Sequence, residues 1–338
     1  MSDYKAPLRE MNFVLNELLD GEDHYASLQG DEPLTPDLLS AVLDSVAKFA
    51  EEQLHPLNLS GDEEGCHWSA EGVTTPKGFR EAYQQYVAGG WTSLSTAVDD
   101  GGQGLPPSVG FLVDEITGSA NWSWAMYPGL SKAAIRLISA QGSEQQKSLF
   151  LHPMVSGEWA GTMCLTEPHC GSDLGMLRTR AEAQADGSYR ITGTKIFISA
   201  GEHDLTDNIV HMVLARVENA PAGTQGISLF IVPKFDVDAD GNLDGRNAVH
   251  CGAIEHKMGI RASATAVLNF DGARGYLVGE ENRGLNQMFI MMNVARIGTA
   301  IQGLTVAESA LQRAVSYASE RLQMRSLSGA KNPDGPAD

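Results

Sequence analysis

Two short stretches of this chain hold the residues best suited to chemistry. The first reads Met163-Cys-Leu-Thr-Glu-Pro-His-Cys-Gly-Ser-Asp173, and the second, after a strand-like segment, reads Lys195-Ile-Phe-Ile-Ser199. Pro168 fixes its own φ and biases Glu167 towards extended backbone, while Gly171 permits a tight turn. The amides of that turn and the Ser172 hydroxyl can receive phosphate or carbonyl oxygens. Thr166 lies just upstream, and Ser199 places a second hydroxyl beside the ring of Phe197. Hydrogen-bond donors aimed at a ring that accepts hydride, next to an aromatic face, are what a tightly held flavin requires. A Pro/Gly loop joining two strands explains the first stretch alone, and the ordered pair of stretches argues against that simpler reading.

These stretches sit in a region of β texture. From about 159 to 278, Tyr189-Arg-Ile-Thr192, Lys195 to Ser199, Asn208 to Ala215, Gly226 to Val232 and Thr265 to Phe270 read as strands. Gly, Asp and Pro turns separate them at intervals suited to a sandwich or barrel. Residues 1 to about 158 read as helical. Thr35 caps and Pro36 begins a helix with Leu38, Val42, Val46 and Phe49 on one face. Gly78 to Gly89 and Ser108 to Met126 are further helices. After 279 the pattern returns to helix, with Leu304, Ala307, Leu311, Val315, Ala318 and Leu322 forming a packing stripe. Met288, Met291 and Met292 read as adaptable core or interface residues. The fold class expected is α+β and multidomain: a helical domain over 1–158, a β-barrel or sandwich domain over 159–278, and the start of a helical bundle over 279–338.

Composition narrows the function classes. The chain has 338 residues with 42% hydrophobic, enough for a sizeable core. Lys and Arg total 24 against 43 Asp and Glu, a net charge of −19 with no basic run, so nucleic acid is not an expected partner. Cys66, Cys164, Cys170 and Cys251 show no metal-like spacing, and Met1-Ser-Asp-Tyr-Lys5 opens without an apolar signal region. A reducing, cytoplasmic setting is expected, and no apolar run approaches a membrane span. His203, Asp204, Asp207 and His211 are the cluster most suggestive of a metal, but their spacing sets no tetrahedral geometry, so no metal is expected. Asp99-Asp-Gly-Gly-Gln-Gly-Leu-Pro-Pro107 lacks the spacing and β-α-β surroundings of a dinucleotide loop. Glu115 reads as part of a surface helix and Glu167 as part of the turn, so neither is favoured as a base.

The chain resembles the acyl-CoA dehydrogenase family, whose flavin loop reads Thr-Glu-Pro-x-x-Gly-Ser/Thr-Asp and is followed by an aromatic-x-Ser/Thr strand. The likeness continues through Gly142-Ser-Glu-Gln-Gln146, Gly157-Glu-Trp159, His256-Lys-Met-Gly-Ile-Arg261, Val278-Gly-Glu-Glu-Asn-Arg-Gly284 and Glu320-Arg-Leu-Gln323. Ala6-Pro7, Phe13-Val-Leu15, Gly65-Cys66, Thr74-Thr-Pro-Lys-Gly-Phe79 and His169-Cys170 suit the branch acting on methylthio-substituted propionyl thioesters. The resemblance implies FAD as cofactor, an acyl-CoA substrate oxidised to a trans-2-enoyl-CoA, an electron-transfer flavoprotein as acceptor, and a homodimer or homotetramer. It places Met163, Leu165, Thr166, Gly171, Ser172, Phe197, Ile198 and Ser199 at the flavin, with Phe197 where relatives often have Trp. Asn293 and Arg296, with Ser172, match substrate-binding positions, and Arg321 matches the residue reaching the flavin pyrophosphate of a neighbouring subunit. Met324 stands where a Gly is usual. With an acidic chain, an anionic thioester must be held by local groups such as Arg296 and Arg321. No catalytic base is expected within the chain. Ala295 occupies the position that carries Glu in some relatives, and the family's other arrangement puts a Glu beyond Asp338, where relatives continue. An oxidase using oxygen and a non-catalytic CoA- or flavin-binding protein are the alternatives.

Overall fold

The computed structural model describes residues 4–28 and 34–321. In chain order its helices are α1 (Leu8–Asn12), α2 (Gly21–Ser27), α3 (Pro36–Phe49), α4 (Pro56–Glu64), α5 (Phe79–Ala88), α6 (Pro107–Ala120), α7 (Trp122–Gln141), α8 (Glu144–Gln146), α9 (His152–Ser156) and α10 (Gly284–Glu320). A small hairpin, β1 (His67–Ser69) and β2 (Gly72–Thr74), interrupts the helical part and was not expected. The remaining strands are β3 (Trp159–Cys164), β4 (Arg180–Ala183), β5 (Tyr189–Ser199), β6 (Asn208–Val217), β7 (Ser228–Pro233), β8 (Phe235–Val237), β9 (Leu243–Arg246), β10 (Val249–Ile254) and β11 (Thr265–Leu277).

The helices begin where their capping residues dictate. Thr35 Oγ1 accepts from the Leu38 amide at 3.2 Å and Pro36 occupies the first turn of α3. Its buried face is Leu39, Leu43, Val46, Ala47 and Phe49, rotated from the expected one, and Leu38 is exposed. Leucines at 38, 39 and 43 offer two overlapping stripes, and the neighbouring helices select between them. The helix expected over Ser108 to Met126 is two helices. Asn121 breaks it with φ −157°, ψ 91° and caps α7 by accepting from the Trp124 amide at 3.1 Å. Its Nδ2 also donates to the Leu54 carbonyl at 3.3 Å. Behind this cap lies an aromatic core, with Phe49 and Trp91 centroids 4.9 Å apart and Tyr86 edge-on to Trp124 at 5.3 Å. Glu115 is not on a surface helix: α6 packs between α3, α7 and α10, and burial followed by Glu308 raises the Glu115 carboxyl.

Strands β11, β5, β4, β6 and β7 pair in a closed ring, so the β region is a barrel with β3 and β10 added at its sides. Closure satisfies backbone groups that open edges would leave unpaired. Tyr189 to Thr192 and Lys195 to Ser199, read as separate runs, are one continuous strand. The helical layer docks on β3 through α7. A side chain at Gly161 would put its Cβ 2.6 Å from the Ala134 Cβ, so only glycine permits the approach, and its amide donates to Ser131 Oγ at 3.0 Å.

α10 crosses α6 and α7 and is buried mainly near its start, at Gly284, Gln287, Met288 and Met291. The expected packing stripe is not packed. Leu304, Leu311 and Val315 are each half-exposed or more, because no partner covers them among the described residues, and Leu322 lies outside those residues. The expectation that no run reaches membrane-span length also changes, since α10 is long and apolar enough to cross a bilayer by length and composition. That hydropathy comes from its large apolar residues, among them the run Met288-Phe-Ile-Met-Met292.

Replacing Asn121 with Ala removes the α7 cap and one buried hydrogen bond. A loss of about 2 kcal/mol is expected, read as a lower urea midpoint with an unchanged slope.

Candidate active site

The loop after β3 folds back on itself. The Glu167 amide donates to the Cys170 carbonyl at 2.8 Å and the Cys170 amide returns a bond to Glu167 at 3.1 Å, with Pro168 and His169 at the turn. A Cβ on Gly171 would stand 3.2 Å from Thr166 Cγ2, so the missing side chain lets the Gly171-Ser172 turn close over Thr166. Gly171 and Ser172 are exposed and Thr166 is half-buried. Asp173 then starts a short turn by accepting from the Gly175 amide at 3.0 Å. Met163 and Leu165 anchor the loop below, packed in the apolar cluster that also takes Met292 and Val294 of α10.

Glu167 is the hub of this loop. Its carboxylate accepts from the Arg178 amide at 2.8 Å, the Thr179 amide at 3.0 Å, Thr179 Oγ1 at 2.5 Å and Lys195 Nζ at 2.9 Å. Lys195 is wholly buried and also donates to the Leu165 carbonyl at 3.0 Å, while the Ile196 amide donates to the Thr166 carbonyl at 2.9 Å. The loop and β5 are therefore one unit. Burial raises the Glu167 carboxyl, but Lys195 and the surrounding donors outweigh it and the net shift is downward; burial lowers the Lys195 ammonium against the pull of Glu167. Sequence reading placed Glu167 in the turn but missed Lys195 as its counter-charge.

The reason lies in β5. The register against β11 shifts between Ala266 and Leu268, which face Ile198 and Lys195, so β5 carries one extra residue. The bulge breaks strict alternation, sending both Lys195 and Ile198 inward and Phe197 outward. Phe197 holds φ 59°, rare for an aromatic residue, and is 58% exposed. Backbone strain of this kind clusters at functional sites, where the surrounding structure holds it in place. Ile198 is buried, so the structure leaves only its backbone for a ligand, and Ser199 pairs with Thr265 at the strand end.

Asn293 and Arg296 lie exposed on one face of α10, with Arg296 Nη1 donating to Asn293 Oδ1 at 2.8 Å and stacking over Phe289. Arg321 ends the described chain, exposed, its guanidinium 5.6 Å from the Tyr317 ring centre. Beside them opens a cavity of about 420 Å³, between α6, α7, α10 and the segment 91–100, which sequence reading did not detect. Trp91, Phe111, Trp122, Met126, Ile135 and Ala295 are among its walls, and the residues of the Thr166–Ser172 turn are not. Two carboxylates face it, and both are engaged: Asp114 with Lys132 and Asp100 with Ser139. Contact across helices distant in sequence left no local signal for this cavity.

The histidines of the group that most suggested a metal, where none was expected, have separate environments. His211 Nδ1 bonds Thr162 Oγ1 at 2.7 Å, His203 packs edge-on to Tyr127, and Asp204 accepts from the Thr75 amide and hydroxyl. Burial, then Lys234, pushes both histidines down to about 3. Among the described residues, Glu167, His169 and Cys170 do bring their ligating atoms within 4.8 Å of one another, but Glu167 already accepts four hydrogen bonds.

Glu167→Gln leaves the buried Lys195 ammonium without its counter-charge, and a loss of about 3–5 kcal/mol is expected at pH 7. Because the folded carboxyl lies below its ordinary value near 4.3, the wild-type contribution is complete above that value and disappears as pH falls through the lower, folded one. Unfolding titrations from pH 7 to acid should show this acid-sensitive component in the wild type and not in Glu167→Gln.

Comparison with known proteins agrees with this geometry. Residues 37–158 match the acyl-CoA dehydrogenase N-terminal domain and residues 162–273 the acyl-CoA dehydrogenase middle domain. The chain is 46% identical to 3-methylmercaptopropionyl-CoA dehydrogenase of Ruegeria pomeroyi over 97% of its own length and 55% of that protein's. It thus spans little more than half the length of that relative. It is 30% identical to the short-chain specific acyl-CoA dehydrogenase of Clostridium acetobutylicum, over 85% of this chain and 70% of that one. The structure of butyryl-CoA dehydrogenase from Megasphaera elsdenii superposes with a TM-score of 0.71 at 28% identity, covering 87% of this chain and 72% of that one. A relative at that coverage, two consecutive domain matches and a shared fold establish that the chain belongs to the acyl-CoA dehydrogenase family.

Proposed function

We propose that the protein takes part in FAD-dependent α,β-dehydrogenation of an acyl-CoA thioester to a trans-2-enoyl-CoA. The observation that carries this reading is the bulged β5, which holds an exposed Phe197 in a left-handed conformation and is locked by Lys195 and Glu167 to the Thr166–Ser172 turn. The site suits a flavin: an aromatic face, two exposed turn amides, the hydroxyls of Thr166, Ser172 and Ser199, and no side chain at Gly171 to obstruct them. When bound, FAD supplies the hydride acceptor. Phe197 would offer an aromatic face to the ring system, Ser172 and the turn amides would donate to its oxygens, and Met163 and Leu165, packed in the apolar cluster, would help exclude water.

The apolar cavity against α10 fits the acyl group, and its volume lies within the roughly 300–1,000 Å³ of small-molecule sites. Asn293 and Arg296, on the same stretch of α10 as the cavity wall at Ala295, fit the polar CoA arm. The name of the Ruegeria relative supports a methylthio-substituted propionyl group as substrate, and membership of the acyl-CoA dehydrogenase family supports an electron-transfer flavoprotein as acceptor. Arg321, exposed at the end of α10, suits the flavin pyrophosphate of a second copy in a homodimer or homotetramer. Position 295 bears no carboxylate and Asp100 and Asp114 are both engaged, which supports the reading that the base lies outside the described residues.

FAD titration followed by flavin absorbance should show binding, weakened about tenfold or more by Gly171→Val, which fills the turn. Absence of binding by the wild type would sink the assignment. The 338-residue chain loaded with FAD should not be bleached by acyl-CoA under anaerobic conditions. Ala295→Glu, which puts a carboxylate on the cavity wall, should introduce bleaching about 10²- to 10⁴-fold faster.

A further inference from the structure

The tight turn that precedes Gly171 and Ser172 gathers three potential metal ligands. Glu167 and Cys170 pair across it as an isolated antiparallel bridge, with Pro168 and His169 at the tip. Residues paired in this way send their side chains to one side of the ribbon. Pro168 restricts the backbone, and His169 folds back from the tip until its Nε2 lies 3.7 Å from Glu167 Oε2. One ligating atom from each of Glu167, His169 and Cys170 therefore falls within 4.8 Å of the others. A carboxylate oxygen, an imidazole nitrogen and a sulfur meet within one turn.

The hydrogen bonds on Glu167 are unevenly shared between its two oxygens. The Thr179 amide, Thr179 Oγ1 and Lys195 Nζ all donate to Oε1, whereas Oε2 accepts from the Arg178 amide alone. Each carboxylate oxygen has two lone pairs, so Oε2 keeps one. The same bonds fix the carboxylate in place before any ion arrives, as the outer partners of metal ligands do. His169 Nε2 donates to the Met176 carbonyl at 3.0 Å in an exposed position, so water can take over that carbonyl when the nitrogen turns to a metal. Tetrahedral coordination at about 2.0–2.3 Å puts ligating atoms roughly 3.3–3.6 Å apart. The Glu167 to His169 separation is already close to this, and His169 is exposed and can swing to close the remainder. Sulfur and imidazole select a soft or borderline cation over magnesium or calcium, which take oxygen ligands.

We propose that Glu167 Oε2, His169 Nε2 and Cys170 Sγ form a binding site for a thiophilic divalent cation of the zinc class, with water as the fourth ligand. On binding, the Cys170 thiol gives its proton to solvent and the imidazole proton moves to Nδ1, so one proton is released and no electron is transferred. Lys195 Nζ, 2.9 Å from the other carboxylate oxygen, opposes the ion and keeps its affinity below that of a site with four protein ligands. The assignment does not depend on the turn holding a flavin.

Cobalt(II) is a spectroscopic probe for such a site, because a four-coordinate thiolate complex gives intense visible ligand-field bands and a near-ultraviolet sulfur-to-metal band. The 338-residue chain, reduced and without an affinity tag, would be titrated with cobalt chloride and then with zinc chloride. Wild type should saturate at one cobalt per chain with a Kd on the order of 1–100 µM, show both features, and lose them as zinc displaces cobalt. Cys170→Ser should abolish the sulfur band, and His169→Gln should weaken binding about tenfold or more. His169 is exposed, so its variant decides the matter should Cys170→Ser fail to fold. Absence of saturable binding, a spectrum without the sulfur band, a sulfur band that survives Cys170→Ser, or unchanged affinity in His169→Gln overturns the proposal.

Discussion

Inside the barrel wall a lysine and a glutamate meet with almost no access to water. Lys195 and Glu167 are 28 residues apart, and the pair exists only if the loop after β3 lies directly against β5. Neither charge is tolerable alone at that depth. The carboxylate is therefore surrounded by donors from Arg178, Thr179 and Lys195, and the ammonium by the carbonyl of Leu165 as well. Every one of these bonds restrains the turn that carries Thr166, Gly171 and Ser172. A binding surface on an exposed loop gains rigidity from a charge pair beneath it, which is how short polar groups hold a cofactor in one orientation.

The bulge in β5 is the other half of the same device. Burying Lys195 at an inward position while turning Phe197 outward requires one residue more than regular pairing allows, and the left-handed backbone of Phe197 absorbs it. The cost of that conformation, about 1–3 kcal/mol, is offset by the hydrogen bonds the buried pair makes. The strain and the buried charge thus support each other, and both serve the exposed ring.

The helical layer contributes the second surface. Gly161 brings β3 against α7, and α7 with α6 and α10 encloses the apolar cavity. The chain carries a net charge of −19, so its long-range field repels an anionic thioester. Under the proposed function, short-range groups would have to do the binding. Arg296, exposed on α10, is a local positive charge, and screening over about 8 Å at physiological ionic strength leaves its short-range contacts little affected by the distant acids.

The order of elements, the change from helix to strand near residue 159 and back near 284, and the words proposed to hold a flavin were all written in local pattern. Thr35 and Pro36 announce α3, and Thr166, Gly171, Ser172 and Phe197 can be picked out because turn and aromatic residues declare themselves over a few positions. Other features depend on what lies opposite. The face of α3 that is buried, the break at Asn121, and the half-exposed stripe on α10 were set by the presence or absence of a packing partner. Lys195 reads as an ordinary strand residue until the register of β11 shows the bulge that turns it inward. Local sequence determines backbone preference within a few residues. Burial of a charge, pairing register and the walls of a cavity are relations between segments far apart in the chain, and only the tertiary structure decides them.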